Sequence, residues 1–79
     1  MKRNDLFKLL ARVLEVDVSM INENLTADQV SSWDSMGHIA ILTNLDETLG
    51  GIPNDDNFAT ANSVRKLIET LRTHRLIED

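Results

Sequence analysis

The chain has 79 residues and a formal charge of −5, with 13 acidic against 8 basic side chains, and 42% of it is hydrophobic. That length allows one small domain, residues 1–79, and the lack of cysteine excludes disulfides and thiolate metal sites, so packing must hold the fold. No Lys or Arg lies between Leu14 and Val64, which argues against a nucleic-acid surface and favours a basic protein partner.

The sequence shows neither a secretion signal nor a membrane span. Its N-terminal residues lack the run of about 7 to 15 apolar residues that a signal peptide contains. No segment approaches the roughly 20 apolar residues of a membrane-spanning helix. We therefore expect a cytoplasmic protein without membrane insertion, and because no pattern indicates an oligomer, we expect a monomer.

The first predicted element is an amphipathic helix. Asn4 or Asp5 can cap it, and the helix is expected to run through about Val16. The residues that recur at helical spacing along its core face are Leu6, Leu9, Leu10, Val13 and Leu14.

A long loop is predicted from Asp17 to Asp34, because the helical periodicity fails there. Loops longer than about 12 to 15 residues are uncommon in compact domains and are usually functional or disordered. This one contains isolated apolar residues that are expected to anchor it to the core, namely Val18, Ile21, Leu25 and Val30. The predicted loop is therefore ordered.

Three further helices are predicted after the loop. The second helix begins near Asp34 or Ser35 and ends at Leu49, before Gly50-Gly51. Next comes a short helical turn around Phe58. Asn54 or Asp55 can cap it, and residues 54–57 lack the alternate spacing of a calcium loop, so we predict no metal site.

The last helix starts after Asn62 or Ser63 and ends in a charged tail that is expected to fray. Its core face is predicted to hold Val64, Leu67, Ile68, Leu71 and Leu76. No strand-like alternation or repeat is present. The predicted fold class is all-α, a small four-helix bundle of three main helices plus one short helix, with a long first loop.

The second helix carries two distinct faces. At about 100° per residue, one arc is predicted to face the core and contains His38, Ile41, Leu42, Leu45 and Leu49. A second arc contains Met36, Ile39, Ala40, Thr43, Asp46 and Glu47, and an ordinary polar remainder contains Gly37, Asn44 and Thr48. The apolar residues of the second arc either cover the long loop or form a docking patch for a partner with an apolar notch and a basic rim.

Ser35 is the candidate functional residue, at the point where the loop becomes the second helix. Ser35 or Asp34 can cap that helix, and a serine at a helix N-terminus is also well placed to carry a phosphodiester. A hydrolase using Ser35 and His38 is an alternative for which no third group is readable. We predict no catalytic residue, a half-buried structural role for His38, and either a loop anchor or a cargo contact in Trp33.

The chain resembles the acyl carrier proteins of the phosphopantetheine-binding family over nearly its full length. Asp34-Ser35-Met36 stands where the family has Asp-Ser-Leu at the start of its second helix. The supporting features, in the same order and spacing, are Ile21 and Leu25, then Leu42, Leu45 and Leu49, then Gly50, Ile52-Pro53 and Asn62-Ser63-Val64.

The resemblance implies that Ser35, within the Asp34 motif, carries 4′-phosphopantetheine supplied from coenzyme A by a phosphopantetheinyl transferase. The thiol of that arm would hold an acyl or aminoacyl group as a thioester for a loading enzyme and a downstream synthase or transferase. It also implies that Met36, Ile39, Ala40, Thr43, Asp46 and Glu47 lie on the family's recognition helix. The alternative is an unmodified adaptor that binds a partner through Met36 and Ile39.

Two departures from the family pattern qualify the resemblance, and the second bears on the pathway. Met36 replaces the usual leucine, a volume-conserving change. Trp33 and Gly37-His38 differ from the carriers of fatty-acid synthesis, and the second helix is less acidic than theirs. We therefore expect a specialised free-standing carrier serving a secondary-metabolite, surface-glycan or aminoacyl pathway.

Overall fold

A computed structural model describes residues 1–78 and shows four α-helices and two single 3₁₀ turns in that range. The helices are α1 (Arg3–Leu14), α2 (Ser35–Leu49), α3 (Asp56–Thr60) and α4 (Val64–Thr73), and the 3₁₀ turns are Val18–Met20 and Ala27–Gln29. Within residues 1–78, β pairing is limited to two isolated bridges. The predicted helical class, with three main helices and a short one, is confirmed.

One hydrophobic core joins all four helices to the long loop. Its largest fully buried side chains are Leu6, Leu10, Leu14, Ile41, Leu45, Leu67, Leu71 and Val64. Phe58 of α3 is 2% exposed and belongs to the same core. Each helix therefore buries one apolar stripe against the others, as amphipathic helices in a small bundle must.

The predicted boundaries of α1 are wrong at both ends. The N-cap is Lys2, and Asp5 lies one turn inside the helix, where its Oδ2 accepts a hydrogen bond from the Lys2 backbone N–H at 3.1 Å. The helix ends at Leu14 because Glu15 adopts a left-handed conformation with φ of 57°. The Val16 N–H then bonds back to the Ala11 carbonyl oxygen at 3.0 Å, which closes the last turn.

The long loop is ordered, and three of its four predicted anchors are confirmed. Ile21, Leu25 and Val30 are buried, whereas Val18 is 48% exposed, which contradicts its assignment as an anchor. Val18 opens a 3₁₀ turn that is capped by the Asp17 carboxylate. Ile21, the next residue after that turn, is the one that reaches the core.

The remaining helices begin and end close to the predicted residues. Helix α2 spans Ser35–Leu49, and Gly50 ends it in a left-handed conformation with φ of 72°, which glycine adopts without steric cost. Asp55 caps α3 and Ser63 caps α4. These side-chain caps satisfy backbone N–H groups that have no acceptor within the helix.

The tail after α4 packs onto the domain, so the predicted fraying is wrong for residues 74–78. Ile77 is buried and Leu76, which lies beyond the helix, is half-buried against the core. The Glu78 N–H donates to the Met1 carbonyl oxygen at 2.7 Å, and the Met1 amino group donates to the Leu76 carbonyl oxygen at 3.3 Å. The two ends of the described chain therefore hold each other in place.

Candidate functional site

Ser35 is the first residue of α2 and is exposed. The cap of that helix is Asp34, whose Oδ1 accepts a hydrogen bond from the Gly37 N–H at 2.8 Å. The Ser35 hydroxyl takes no part in this cap, and no group within residues 1–78 is hydrogen-bonded to it. The hydroxyl is therefore free to react at a helix N-terminus, where unpaired N–H groups favour an anion.

Gly37 holds the end of the loop close to α2. A Cβ at this position would collide with the Ser32 carbonyl oxygen and lie 3.1 Å from the Ser32 carbonyl carbon. The Ser32 hydroxyl also donates to the Leu14 carbonyl oxygen at 2.8 Å, which ties the same loop end to α1. Gly37 was predicted to be an ordinary polar position; the structure shows that this close approach requires glycine.

His38 joins the loop, α2 and α3. Trp33 Nε1–H donates to His38 Nδ1 at 3.1 Å, and His38 Nε2 lies 2.7 Å from the Phe58 carbonyl oxygen. Because Nδ1 accepts, Nε2 must carry the proton and donate to that carbonyl, which defines a neutral imidazole. The Trp33 and His38 rings also stack, with centroids 6.3 Å apart.

These contacts decide two of the sequence-based interpretations. Trp33 is 5% exposed and is a loop anchor, and His38 is half-buried with both ring nitrogens occupied, so its predicted structural role is confirmed. A general base needs a free lone pair to accept the serine proton. His38 has none in this arrangement, which argues against a hydrolase built on Ser35 and His38.

A groove of about 400 Å³ begins at Ser35 and runs between α2 on one side and the end of α3 with the α3–α4 linker on the other. Its lining residues are Ala27, Trp33, Asp34, Ser35, His38, Ile39, Leu42, Ala59, Thr60, Ala61 and Asn62. Its edge is fixed by the backbone, because the Ala27 N–H donates to the Asn62 carbonyl oxygen at 2.8 Å. Leu42 was predicted to face the core; it is half-buried and also forms part of this wall.

The second arc of α2 is largely exposed. Met36 is 80% exposed and Ile39 is 63% exposed, so neither covers the long loop. Thr43 and Glu47 are also exposed, whereas Ala40 is half-buried. The structure therefore leaves a pair of large apolar side chains open beside Ser35.

Asp46, predicted to belong to the same docking face, has a structural contact as well. It is exposed, but its Oδ1 accepts a hydrogen bond from the Ile52 N–H at 2.9 Å. Its backbone carbonyl accepts from Gly50 and from Gly51. Asp46 thus stabilises the turn after α2, a role with no signal in the sequence because Ile52 lies six residues further along the chain.

A second pair of side chains holds α3 against α4. His74 Nε2 lies 2.7 Å from Asp55 Oδ2, and the His74 ring stacks on Phe58 with centroids 5.9 Å apart. The hydrogen bond with His74, followed by the one from the Asn57 backbone N–H, holds the pKa of Asp55 below its usual value of 3.8. Since α3 forms one wall of the groove, this pair of side chains also holds that wall in position.

Comparisons with known proteins gave no relative: no protein-family model, curated protein or solved structure matches this chain significantly. No helix in the described range of 1–78 is long and apolar enough to cross a membrane. In the same range, no three His, Asp or Glu side chains are grouped so that they could hold a metal ion. Any functional assignment must therefore rest on the chemistry of the site.

Proposed function

We propose that the protein is an acyl or aminoacyl carrier, modified on Ser35 with 4′-phosphopantetheine. The observation that carries the proposal is the free, exposed Ser35 hydroxyl at the start of a 15-residue helix whose cap is supplied by another residue. The Asp34-Ser35-Met36 motif, which resembles that of phosphopantetheine-binding carriers, supports it. The four-helix architecture is consistent with the proposal.

The residues around Ser35 suit a covalently attached phosphodiester. A phosphate on Oγ would lie at the N-terminus of α2, where the first N–H groups have no intrahelical acceptor and the helix dipole favours negative charge. Asp34 is already held by the Gly37 N–H, which keeps its carboxylate directed along the helix. The site thus offers an anchor of fixed geometry and a hydroxyl that a modifying enzyme can reach.

In the modification reaction, Ser35 Oγ attacks the phosphorus of coenzyme A that bears the pantetheine. The Oγ–P bond forms, the pyrophosphate P–O bond breaks, and adenosine 3′,5′-bisphosphate leaves with that bond's electron pair. The serine proton goes to a base on the transferase, because His38 has no lone pair available. The attached arm supplies a thiol that holds the cargo as a thioester.

The partners of this carrier would be the transferase, a loading enzyme and a downstream synthase or transferase. We propose that they dock on Met36, Ile39, Ala40, Thr43, Asp46 and Glu47. The two exposed apolar side chains favour a partner with an apolar notch. The acidic residues favour a basic rim around that notch. Trp33 and Gly37-His38, which differ from the carriers of fatty-acid synthesis, favour a specialised carrier, and we propose that it serves a cytoplasmic biosynthetic pathway.

Mass spectrometry tests the modification directly. Incubation of the purified chain with coenzyme A and a broad-specificity transferase should add the mass of one phosphopantetheinyl group. Ser35→Ala should abolish the gain, whereas Ser31→Ala, the matched change at an exposed serine of the preceding loop, should leave it intact. No mass gain with several transferases would contradict the proposal.

A second candidate function is an unmodified adaptor, which is favoured by the 80% exposure of Met36 and the 63% exposure of Ile39. The activities of two variants distinguish the two functions. An adaptor should keep its biological activity in Ser35→Ala and lose it in Ile39→Glu. A carrier should lose its activity in both variants, because Ser35→Ala prevents attachment of the arm and Ile39→Glu prevents docking of the partner.

A further inference from the structure

We infer that His38 is a positioning residue for the modification of Ser35, and that it acts only while its imidazole is neutral. This role rests on the proposed carrier function and makes the same site sensitive to pH. It depends on the contacts that His38 makes with the residues before Ser35, and on the proton that one of those contacts forbids.

His38 holds both of the residues that precede Ser35. Its ring Nδ1 accepts a hydrogen bond from Trp33 Nε1–H at 3.1 Å. Its backbone N–H donates to the Asp34 carbonyl oxygen at 2.8 Å. The Asp34 carboxylate is engaged separately, by the Gly37 N–H. Because Ser35 itself is exposed, the direction in which it presents its hydroxyl depends on how these two residues are held.

The Trp33–His38 contact is buried and requires one tautomer of the imidazole. Trp33 is 5% exposed, and its ring stacks on that of His38 with centroids 6.3 Å apart. His38 Nε2 lies 2.7 Å from the Phe58 carbonyl oxygen. That carbonyl is in the last turn of α3, so it has no N–H partner within its own helix. The Nε2 proton is therefore held there, and Nδ1 is left as the acceptor for Trp33.

Protonation of His38 would break this contact. A proton on Nδ1 makes both ring nitrogens donors, so the Trp33 N–H would face another N–H. A buried donor without an acceptor is costly enough to lower the population of such an arrangement by about tenfold. Trp33 must then shift, and the backbone that leads into Ser35 shifts with it. Imidazoles usually change charge between about pH 5 and 8, so this change falls in an accessible range.

The charged groups around His38 leave it as the residue that controls this response. It packs against the loop, α3 and the α3–α4 linker. The titratable residues on these elements and on α2 are Asp28, Asp34, Asp46, Glu47, Asp55 and Asp56. None of these elements carries a Lys or Arg, and of the acidic residues only Asp34 lines the groove with His38. Asp55 instead contacts His74, at 2.7 Å.

Modification rates measured from about pH 5 to 8 test this role. The kcat/KM of a broad-specificity transferase with coenzyme A is followed by mass gain for the unsubstituted protein and for His38→Asn. The asparagine Oδ1 can accept from Trp33 in place of Nδ1, but asparagine does not titrate. Asp34 and the transferase are present in both reactions, so their titrations cancel in the ratio of the two rates. We expect the ratio to be constant above about pH 7 and to fall by about tenfold toward pH 5.

Three further variants locate the effect. Trp33→Phe keeps an aromatic ring but removes the N–H donor, so it should abolish the pH dependence. His74→Gln, at the only other histidine, is the matched control and should retain it. His38→Ala removes the acceptor and at about pH 8 should be modified roughly tenfold more slowly than His38→Asn.

A measurement on the unsubstituted protein alone gives the midpoint of the response. The Trp33 indole N–H is the only one in the chain, so it gives a single resonance in proton NMR. That resonance should shift as His38 titrates, with the same midpoint as the fall in the ratio of rates. A different midpoint would show that the rates respond to another group, and it would overturn the inferred role.

The outcomes also separate this role from the function on which it rests. Failure to add the phosphopantetheinyl mass at any pH would overturn the carrier function itself. Normal modification with a ratio that stays constant across the pH range would overturn the role of His38 alone. A fall that persists in Trp33→Phe, or that disappears in His74→Gln, would do the same. None of these comparisons depends on whether His38→Ala folds.

Discussion

Gly37→Ala is the change that most directly tests how the Ser35 site is built. Gly37 lies in the first turn of α2, where alanine would ordinarily stabilise a helix by about 1 kcal/mol. Here the new Cβ would collide with the Ser32 carbonyl oxygen and lie 3.4 Å from Asp34 Oδ1. The loop end must therefore move away from the helix, and the gain in helix propensity is opposed by the cost of the interactions that this movement breaks.

The magnitude follows from three interactions at the loop end. Displacement of Ser32 breaks its hydrogen bond to the Leu14 carbonyl oxygen, which is worth about 1 kcal/mol. Movement of Asp34 weakens the cap, which is worth about 1 kcal/mol, and packing of Trp33 loosens at a cost of about 1 kcal/mol. After subtraction of the propensity gain, the free energy of unfolding should fall by roughly 2 kcal/mol, or the melting temperature by about 10 °C.

Urea unfolding followed by circular dichroism measures this change. Thr43→Ala, at an exposed position of the same helix, is the matched control and should be neutral or slightly stabilising. The transferase reaction gives a second readout, because a displaced loop end should also slow modification of Ser35. A Gly37→Ala protein as stable as the unsubstituted one would refute the close-approach argument, since the propensity gain would then be unopposed.

Three further predictions concern other parts of the domain. Glu47→Lys should weaken partner binding in a salt-dependent way, while Glu69→Lys on α4 should not. The measurement is a binding titration of both variants at two ionic strengths, and an equal loss of affinity in the two variants would contradict the docking face. The lowered pKa of Asp55 means that its contact with His74 stabilises the fold above the usual Asp pKa of 3.8 and is lost as pH falls through the lowered value. Asp55→Asn should therefore flatten the acid limb of the stability curve, and an unchanged limb would exclude the contact. Glu15→Gly should raise the free energy of unfolding by about 1 kcal/mol, because glycine adopts the left-handed φ of 57° without the strain that a side chain causes. Urea unfolding measures this change. Destabilisation would show that the Glu15 side chain contributes more than the strain costs.

The helices of this domain could be predicted because their signals are local. Asp34, Asp55 and Ser63 cap the helices they precede, and Gly50 ends α2, as the residue types indicate. The start of α1 was misplaced because the same residue type serves two positions. An aspartate can cap a helix, but it is equally suitable as the third helical residue, where Asp5 accepts a hydrogen bond from the Lys2 N–H.

The parts that could not be predicted depend on contacts between distant residues. Asp46 bonds to the Ile52 N–H across the end of α2, and the tail is held by Met1, at the other end of the chain. Gly37 has an ordinary helical conformation, so only the approach of Ser32 reveals why it must be glycine. Helical periodicity placed His38 toward the core but could not show that both of its nitrogens are used.

The residues on the two sides of Ser35 differ in their contacts. On its N-terminal side the chain is fixed, because Trp33 is buried and Asp34 is bonded to the helix. On its C-terminal side, Met36 and Ile39 are 80% and 63% exposed, so their burial can contribute only when a partner binds. Full burial of two such side chains is worth about 3 to 6 kcal/mol.

That contribution is comparable only to the lower end of the cost of association, which is on the order of 4 to 15 kcal/mol. In the proposed docking, charge pairing with the acidic residues of this face would add to that contribution, and it would raise the rate of encounter more than the lifetime of the complex. Short-lived complexes suit a carrier, because its arm must leave one enzyme before it can reach the next. A rigid attachment residue beside a weakly binding face is thus the combination that the proposed function requires.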